Sequence, residues 1–445
     1  MGHPETHLQT PAGTVSLGHY WMPFTPNKDF RADPKMAVKA EGMYYWNERG
    51  DKILDSSSGL FCVAAGHARP EIADAVRKQL MELDYIPPFT RGHPKAFELA
   101  GRIAAMTPGD LNSVFFTNSG SEAVDTAMKI ALAYHRARGE AQRQIFISRE
   151  RAYHGVGFGG VALSGMVNNR RTFGVGLAGV AHMRHTHIPQ NKFQRGEGDH
   201  GIELAEDLTR LINLHGAENI AAVFIEPVAG STGCLVPPKG YLKRVREICD
   251  ANKLLLVFDE VICGIGRMGA NFASQSFGVT PDMLTMAKAL TNGVQPMGAV
   301  AASDRIYRAV IDAAGPQAVE FFHGYTYSAH PAPCAAALAT LDIYEKGGLF
   351  QQARELSPYF LDAVFSLKDL PIVTDIRGYA SMAAFDIAPG SAPGARGHEL
   401  QKRLYDAGLH LKATGDTAIV APAYIAEKRH IDEMCATLRK VLAKI

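Results

Sequence analysis

Through the middle of the chain, short apolar runs of four to seven residues alternate with longer stretches of helical pattern. Val114–Thr117, Gln144–Ser148, Ile220–Glu226, Leu254–Asp259 and Met283–Met286 read as buried strands, each bounded by polar or turn residues. Ser121–Arg138, Ile202–His215 and Gly240–Asn252 read as the helices between them. Strands alternating with helices predict βαβ units and an α/β fold with a doubly wound, mostly parallel sheet. Before residue 70 the pattern changes: Met43–Asp55 reads as a hairpin with Asn47–Asp51 as its turn. After about residue 335 it changes again, to helices (Ala335–Lys346, Gln351–Leu367) followed by short strands near Ile372–Asp375 and Met382–Ile387. The expected organisation is a large domain over 71–334, with 1–70 and 335–445 joining in a smaller α+β domain. No long linker, low-complexity segment or internal repeat interrupts it.

Ligands of an open parallel sheet gather at the carboxyl ends of its strands. Glu226, Asp259 and Lys288 stand at three such ends, 33 and 29 residues apart. Each interval is close to one βα repeat of about 30 residues. A carboxylate and an amine from successive units can therefore face one crevice. A nucleophilic lysine with an aspartate for a ring nitrogen is what pyridoxal phosphate chemistry requires. The simpler reading makes Asp259 a helix cap and Lys288 a surface residue. Ser119-Gly120-Ser121-Glu122-Ala123 follows the strand at Val114 and opens a helix, so its unpaired N–H groups suit a phosphate. The same residues also spell a capping box, and both uses draw on the same donors. Tyr153-His154-Gly155 follows the strand at Gln144, where Tyr153 can stack on a planar ring or serve as a rim aromatic.

Composition narrows the setting. The 445 residues carry 46 Lys+Arg against 45 Asp+Glu, which removes any compositional case for nucleic acid or an anionic membrane. Six widely spaced cysteines without a CxxC pair read as thiols of a reducing compartment, and the cytoplasm is the expected location. A long stretch free of Asp, Glu, Lys and Arg, Phe321–Leu341, holds His323, His330, Pro331 and Pro333, which argues against a bilayer span. No secretory signal is visible at the N-terminus, and its formal match to a myristoylation pattern has no support nearby. Glycine is concentrated: eight of the 30 residues from Arg151 to Val180, where average usage gives about two, which predicts close backbone approach around a cofactor. Gly155–Gly160 also satisfies G-x-G-x-x-G, yet no Asp or Glu occurs between Glu150 and Glu197, as a dinucleotide fingerprint needs. His182, His185 and His187 form an HxxHxH cluster without a neighbouring carboxylate or cysteine in sequence, so no metal is expected. Asp259 and Glu260, adjacent at a strand end, are expected to face opposite ways.

In this order the motifs resemble those of the class III (omega) aminotransferases, pyridoxal-phosphate enzymes of fold type I. The matching text is SGSEA at 119–123, YHG at 153–155, EP at 226–227, FDEV followed by GIGRMG within 258–269, AKALTNG at 287–293 and GYTYSAHP at 324–331. With HYWMPF at 19–24 and GLF…AGH at 59–67 the resemblance covers nearly the whole chain, and HYWMPF and GYTYSAHP point to the omega-amino-acid–pyruvate (β-alanine–pyruvate) subgroup. The resemblance implies ping-pong transfer of an amino group from an ω-amino acid or primary amine to pyruvate, a related keto acid or an aldehyde. It implies pyridoxal 5′-phosphate as cofactor and Lys288 as the Schiff-base lysine and proton carrier, with Asp259 at the ring nitrogen. Val261 and Tyr153 would flank the ring, supported by Glu226 and His154. Ser119, Gly120 and Ser121 would hold the phosphate, joined by Tyr325 and Thr326 from the second subunit of a homodimer, itself able to pair into a dimer of dimers. Trp21, Phe24, Leu60, Phe61, Phe89 and Tyr153 would line the substrate pocket. Two departures stand out: Lys412 occupies the place of the subgroup's carboxylate-gripping arginine, and Phe61 that of a frequent tryptophan. Lysine keeps the charge but loses planar bidentate recognition. The alternatives are an aminomutase or decarboxylase sharing the cofactor site, and a non-catalytic binding protein that kept the fold.

Overall fold

A computed structural model describes residues 7–10, 13–174 and 176–445, with only the backbone of the first four. The formal myristoylation match lies outside the described residues. At the centre is a seven-stranded sheet in the order Ser113–Thr117, Gly298–Ala302, Met283–Met286, Leu255–Asp259, Ile220–Ile225, Ile145–Arg149, Val180–Met183. From Met283–Met286 to Val180–Met183 every pairing is parallel. Gly298–Ala302 runs antiparallel to both its neighbours. The strand Ile220–Ile225 is buried along its whole length, and its unbroken apolar text is what a strand covered on both faces requires.

Helices cover both faces. Gly120–Ala137 packs with Phe146, Phe224, Val257 and Val300, while Tyr241–Ala251 closes the other side with Leu256 and Phe258. Several helices begin where a proline fixes the first turn, among them Pro70–Glu82, Pro94–Met106 and Pro331–Lys346.

The two chain ends meet in a second layer. Tyr44–Asn47 and Lys52–Asp55 form the expected hairpin, and Leu409–His410 adds to it in parallel, Leu409 opposite Leu54. Val373–Tyr379, Met382–Ile387, Thr417–Val420 and Lys412–Thr414 make a separate antiparallel sheet. Met43 and Leu54 share one apolar cluster with Ile376, Phe385, Leu400 and Leu438, so residues from both ends bury a common core. Among the described residues no helix is long and apolar enough to cross a membrane.

Candidate active site

Three adjacent parallel strands end on one side of the large sheet. Asp259 closes Leu255–Asp259, Glu226 follows Ile220–Ile225 directly, and Lys288 stands two residues beyond Met283–Met286. All three line a cavity of about 350 Å³ together with Ser119, Gly120, Ser121, Tyr153, His154 and Val261. That volume falls within the range of small-molecule sites, about 300–1,000 Å³.

Asp259 is buried and held on both oxygens. Oδ2 lies 2.8 Å from His154 Nδ1, and Oδ1 accepts the Val261 amide at 3.2 Å and the Thr285 hydroxyl at 3.1 Å. Thr285 is a residue the sequence reading missed. It sits directly opposite Asp259 in the ladder, so a lone hydroxyl within the apolar strand MLTM was the available signal. Glu226 is fully enclosed, Oε1 accepting the Tyr153 amide at 2.9 Å and Oε2 the Gly230 amide at 3.2 Å. Burial pushes its carboxyl up to about 7, against an opposing pull from His154. Lys288 adopts φ 49°, a left-handed conformation that costs a non-glycine residue about 1–3 kcal/mol and is concentrated at functional sites.

The opening of Gly120–Ala137 faces the same cavity. Ser119 caps it, its Oγ accepting the Glu122 amide at 3.2 Å, which is worth about 1 kcal/mol to the helix. The Glu122 carboxylate does not complete the expected box at Ser119; it reaches one residue further, to the Asn118 amide at 2.7 Å. Gly120 has no room for a side chain, since a Cβ there would lie 2.8 Å from Val261 Cγ1. Cys62, Asn118 and Gln295 also line the cavity and were not anticipated.

The remaining expected residues separate into groups. Glu260 points away from the cavity, as alternation requires, and its carboxylate accepts the amides of Ala273 and Ser274. Phe61 does not line the cavity. The chain turns at Gly59 and again at Phe61 (φ 66° and 64°), and the Phe61 ring is only 2% exposed. It packs in the cluster that contains Ile262, Met268 and Ile419; of these Ile262 lines the cavity, so Phe61 is a support behind the wall. Trp21, Phe24, Phe89 and Leu60 are 87%, 78%, 58% and 52% exposed. Tyr325 and Thr326 do not line the cavity of their own chain. The Tyr325 hydroxyl bonds to Thr126 Oγ1 and donates to the Glu122 carbonyl, and the exposed Thr326 accepts from Tyr85 through its carbonyl. Lys412 is half-buried; burial lowers its pKa and the charge of Lys288 acts in the same direction. Neither lysine has a carboxylate partner among the described residues.

The histidine cluster does meet carboxylates that are remote in sequence. His187 Nε2 lies 3.7 Å from Asp375 and 3.9 Å from Asp386. Arg377 pairs with both, at 2.9 and 2.8 Å, and His182 instead contacts Arg170 and the Leu163 carbonyl.

Residues 28–442 match the family model "Aminotransferase class-III". The chain belongs to the class-III aminotransferases. An omega-aminotransferase of Caulobacter vibrioides is 52% identical over 435 residues, covering 97% of this chain and 99% of that one. An omega-amino acid–pyruvate aminotransferase of Pseudomonas putida is 46% identical over 447 residues, covering 99% of each. The omega transaminase of Pseudomonas jessenii in complex with PMP superposes with a TM-score of 0.90 at 29% identity over 96% of each chain. Class-III aminotransferases are pyridoxal-phosphate enzymes of fold type I, and the sheet described above is that fold.

The cavity of this class-III aminotransferase suits such a cofactor. A helix N-terminus with a glycine and a serine suits a phosphate, and a held carboxylate suits a ring nitrogen. His154 Nε2, buried at the wall, has no hydrogen-bond partner among the described residues.

Proposed function

We propose that this aminotransferase binds pyridoxal 5′-phosphate in the cavity of Lys288. It moves amino groups from ω-amino acids or primary amines to pyruvate or a related acceptor. The observation that carries the reading is the convergence of Lys288 and the doubly held Asp259 on one cavity with the opening of Gly120–Ala137. When bound, the cofactor supplies an electron sink conjugated with the reacting carbon.

The protein's own groups do the rest. The backbone and hydroxyl of Ser119, Gly120 and Ser121 take the phosphate. Asp259 faces the ring nitrogen, oriented by His154, Thr285 and the Val261 amide. Tyr153 and Val261 flank the ring, and Glu226 braces the backbone of Tyr153. Lys288 Nζ removes the proton from the amine-bearing carbon of the donor. In the second half of the ping-pong cycle it returns a proton to the corresponding carbon of the acceptor. Lys412, an ammonium without a carboxylate of its own, takes the acceptor's carboxylate. Trp21, Phe24, Leu60, Phe89 and Tyr153 line the donor side.

Tyr325 and Thr326 are read as serving the phosphate of a second copy, so the working unit is a homodimer, with a dimer of dimers as the larger form. Residues 1–70 and 335–445 form the smaller domain around 71–334. The cytoplasm is the proposed location, in keeping with six unpaired cysteines.

Alanine formed from pyruvate tests the reading, over a donor panel of β-alanine, longer ω-amino acids, diamines and arylalkylamines. Borohydride treatment followed by peptide mapping is expected to label Lys288. Carbon dioxide or a positional isomer as product, without alanine, makes the chain a decarboxylase or aminomutase instead.

A further inference from the structure

The glycines that follow Tyr153 are crowded chiefly by one helix. Asp125 lies on the second turn of Gly120–Ala137, and its Oδ1 accepts the Gly160 amide at 3.0 Å. A Cβ on Gly157 would strike Asp125 Oδ2 well inside van der Waals contact, and one on Gly159 would strike Oδ1 and the Met128 sulphur. One turn earlier, Ser121 Oγ accepts the Val156 amide at 3.1 Å, and a Cβ on Gly155 would lie 2.5 Å from that oxygen. Positions 121 and 125 share a helix face, so two side chains grip residues 155–160 from one side. At Gly157 the backbone is ordinary (φ −63°, ψ 159°) and open to any residue. What demands glycine there is the carboxylate. The gripped segment begins directly after Tyr153 and His154, which the Glu226 and Asp259 carboxylates hold at the other end.

We propose that Asp125 is a positioning residue: its carboxylate clamps Gly157–Gly160 onto the helix and thereby sets where Tyr153, His154 and the Ser121 hydroxyl stand around the cofactor. Asp125 is absent from the cavity wall, so it acts through those three residues. The inference rests on the cofactor reading given above.

A two-residue cycle tests it. Pyridoxal phosphate affinity and the visible circular dichroism of the holoenzyme are measured, with thermal unfolding of the same proteins alongside. Asp125→Ala is expected to weaken the cofactor by at least about tenfold and to diminish its dichroic band. Asp125→Asn keeps an oxygen for Gly160 and restores affinity to within about threefold of wild type. Gly157→Ala alone is expected to cost about 100-fold, yet added to Asp125→Ala it costs nothing more, because the oxygen it strikes is gone. Additive losses overturn the proposal. So does an Asp125→Ala protein of lowered stability but unchanged affinity and dichroism, which leaves Asp125 a structural residue. A wild-type chain that binds no pyridoxal phosphate overturns the cofactor reading and this proposal with it, whereas wild-type binding with insensitive variants overturns this proposal alone.

Discussion

The proposed site has two parts built in different ways, an inner wall in the cavity and an exposed outer part. The wall against the sheet is made of buried groups whose partners all come from the same chain: Asp259 with His154 and Thr285, Glu226 with Tyr153 and Gly230. Outside that cavity, Trp21, Phe24, Leu60 and Phe89 leave large apolar side chains exposed, and Thr326 is exposed as well. The difference teaches that the proposed cofactor half is built from buried groups that hold one another, whereas the residues proposed for the substrate half stand exposed.

Damage to the inner wall is expected to abolish chemistry, and damage to the outer part to shift preference. The largest effect belongs to Asp259→Asn, which is expected to lower kcat by about 10²–10³-fold with donor KM little changed, as for other preorganised charged groups. A steady-state series over one donor reads this. Next comes Lys412→Ala: the KM for keto acids is expected to rise about tenfold while uncharged aldehydes change less than about twofold. Equal effects on both acceptors remove Lys412 from the carboxylate site. Thr326→Ala is expected to weaken pyridoxal phosphate about threefold to tenfold. Mixing that protein with Lys288→Ala protein regenerates one intact site per mixed dimer, so activity at limiting cofactor rises on mixing. No rise means that Thr326 serves its own chain or no site.

The smallest effect is on pH dependence and concerns the inner wall alone. Glu226 has a folded-state pKa near 7 against an ordinary value of 4.5, so the folded chain keeps a proton that the unfolded chain has already lost. Stability of the cofactor-free protein from this source is complete below about 4.5 and falls as pH rises toward about 7. Glu226→Gln removes the proton exchange and is expected to flatten the slope of Tm between pH 5 and 8 by about half. Glu260, raised to about 7 by burial, supplies a slope of the same sign that remains. An unchanged slope means that Glu226 is ionised in the folded chain.

Much of the inner wall was legible in the sequence, because an apolar strand that ends in a polar residue announces both the strand and the direction of its tip. Glu226, Asp259 and Lys288 were found in this way. The Gly298–Ala302 strand was not, since GAVAA has little of the β-branched and aromatic character by which strands are recognised. The carboxylates around His187 come from residues 375 and 386, and no local pattern joins positions so far apart. The glycine excess was seen, and the expected close backbone approach holds at Gly160 and Gly165, where a Cβ would strike the His154 and Arg149 carbonyl oxygens. Gly155, Gly157 and Gly159 make room for side chains of a neighbouring helix, a demand set by Ser121 and Asp125 and invisible in glycine spacing. The burial of Phe61 was not legible, because Ser58, Gly59 and Phe61 all take positive φ on the way to turning its ring inward, and only Gly59 advertises such a turn.

The pairing of Leu54 with Leu409 also sets a timetable for biosynthesis. At about 5–20 residues per second, a ribosome needs roughly 20–70 s to make the intervening chain. For that interval the hairpin Tyr44–Asp55 has no edge partner from Leu409–His410 and no lid over Met43 and Leu54. Met43 and Leu54 therefore wait for part of their core while the central sheet is already being made, and loss of the last 40 residues takes Leu409, Leu411, Val420, Met434 and Leu438 from that core.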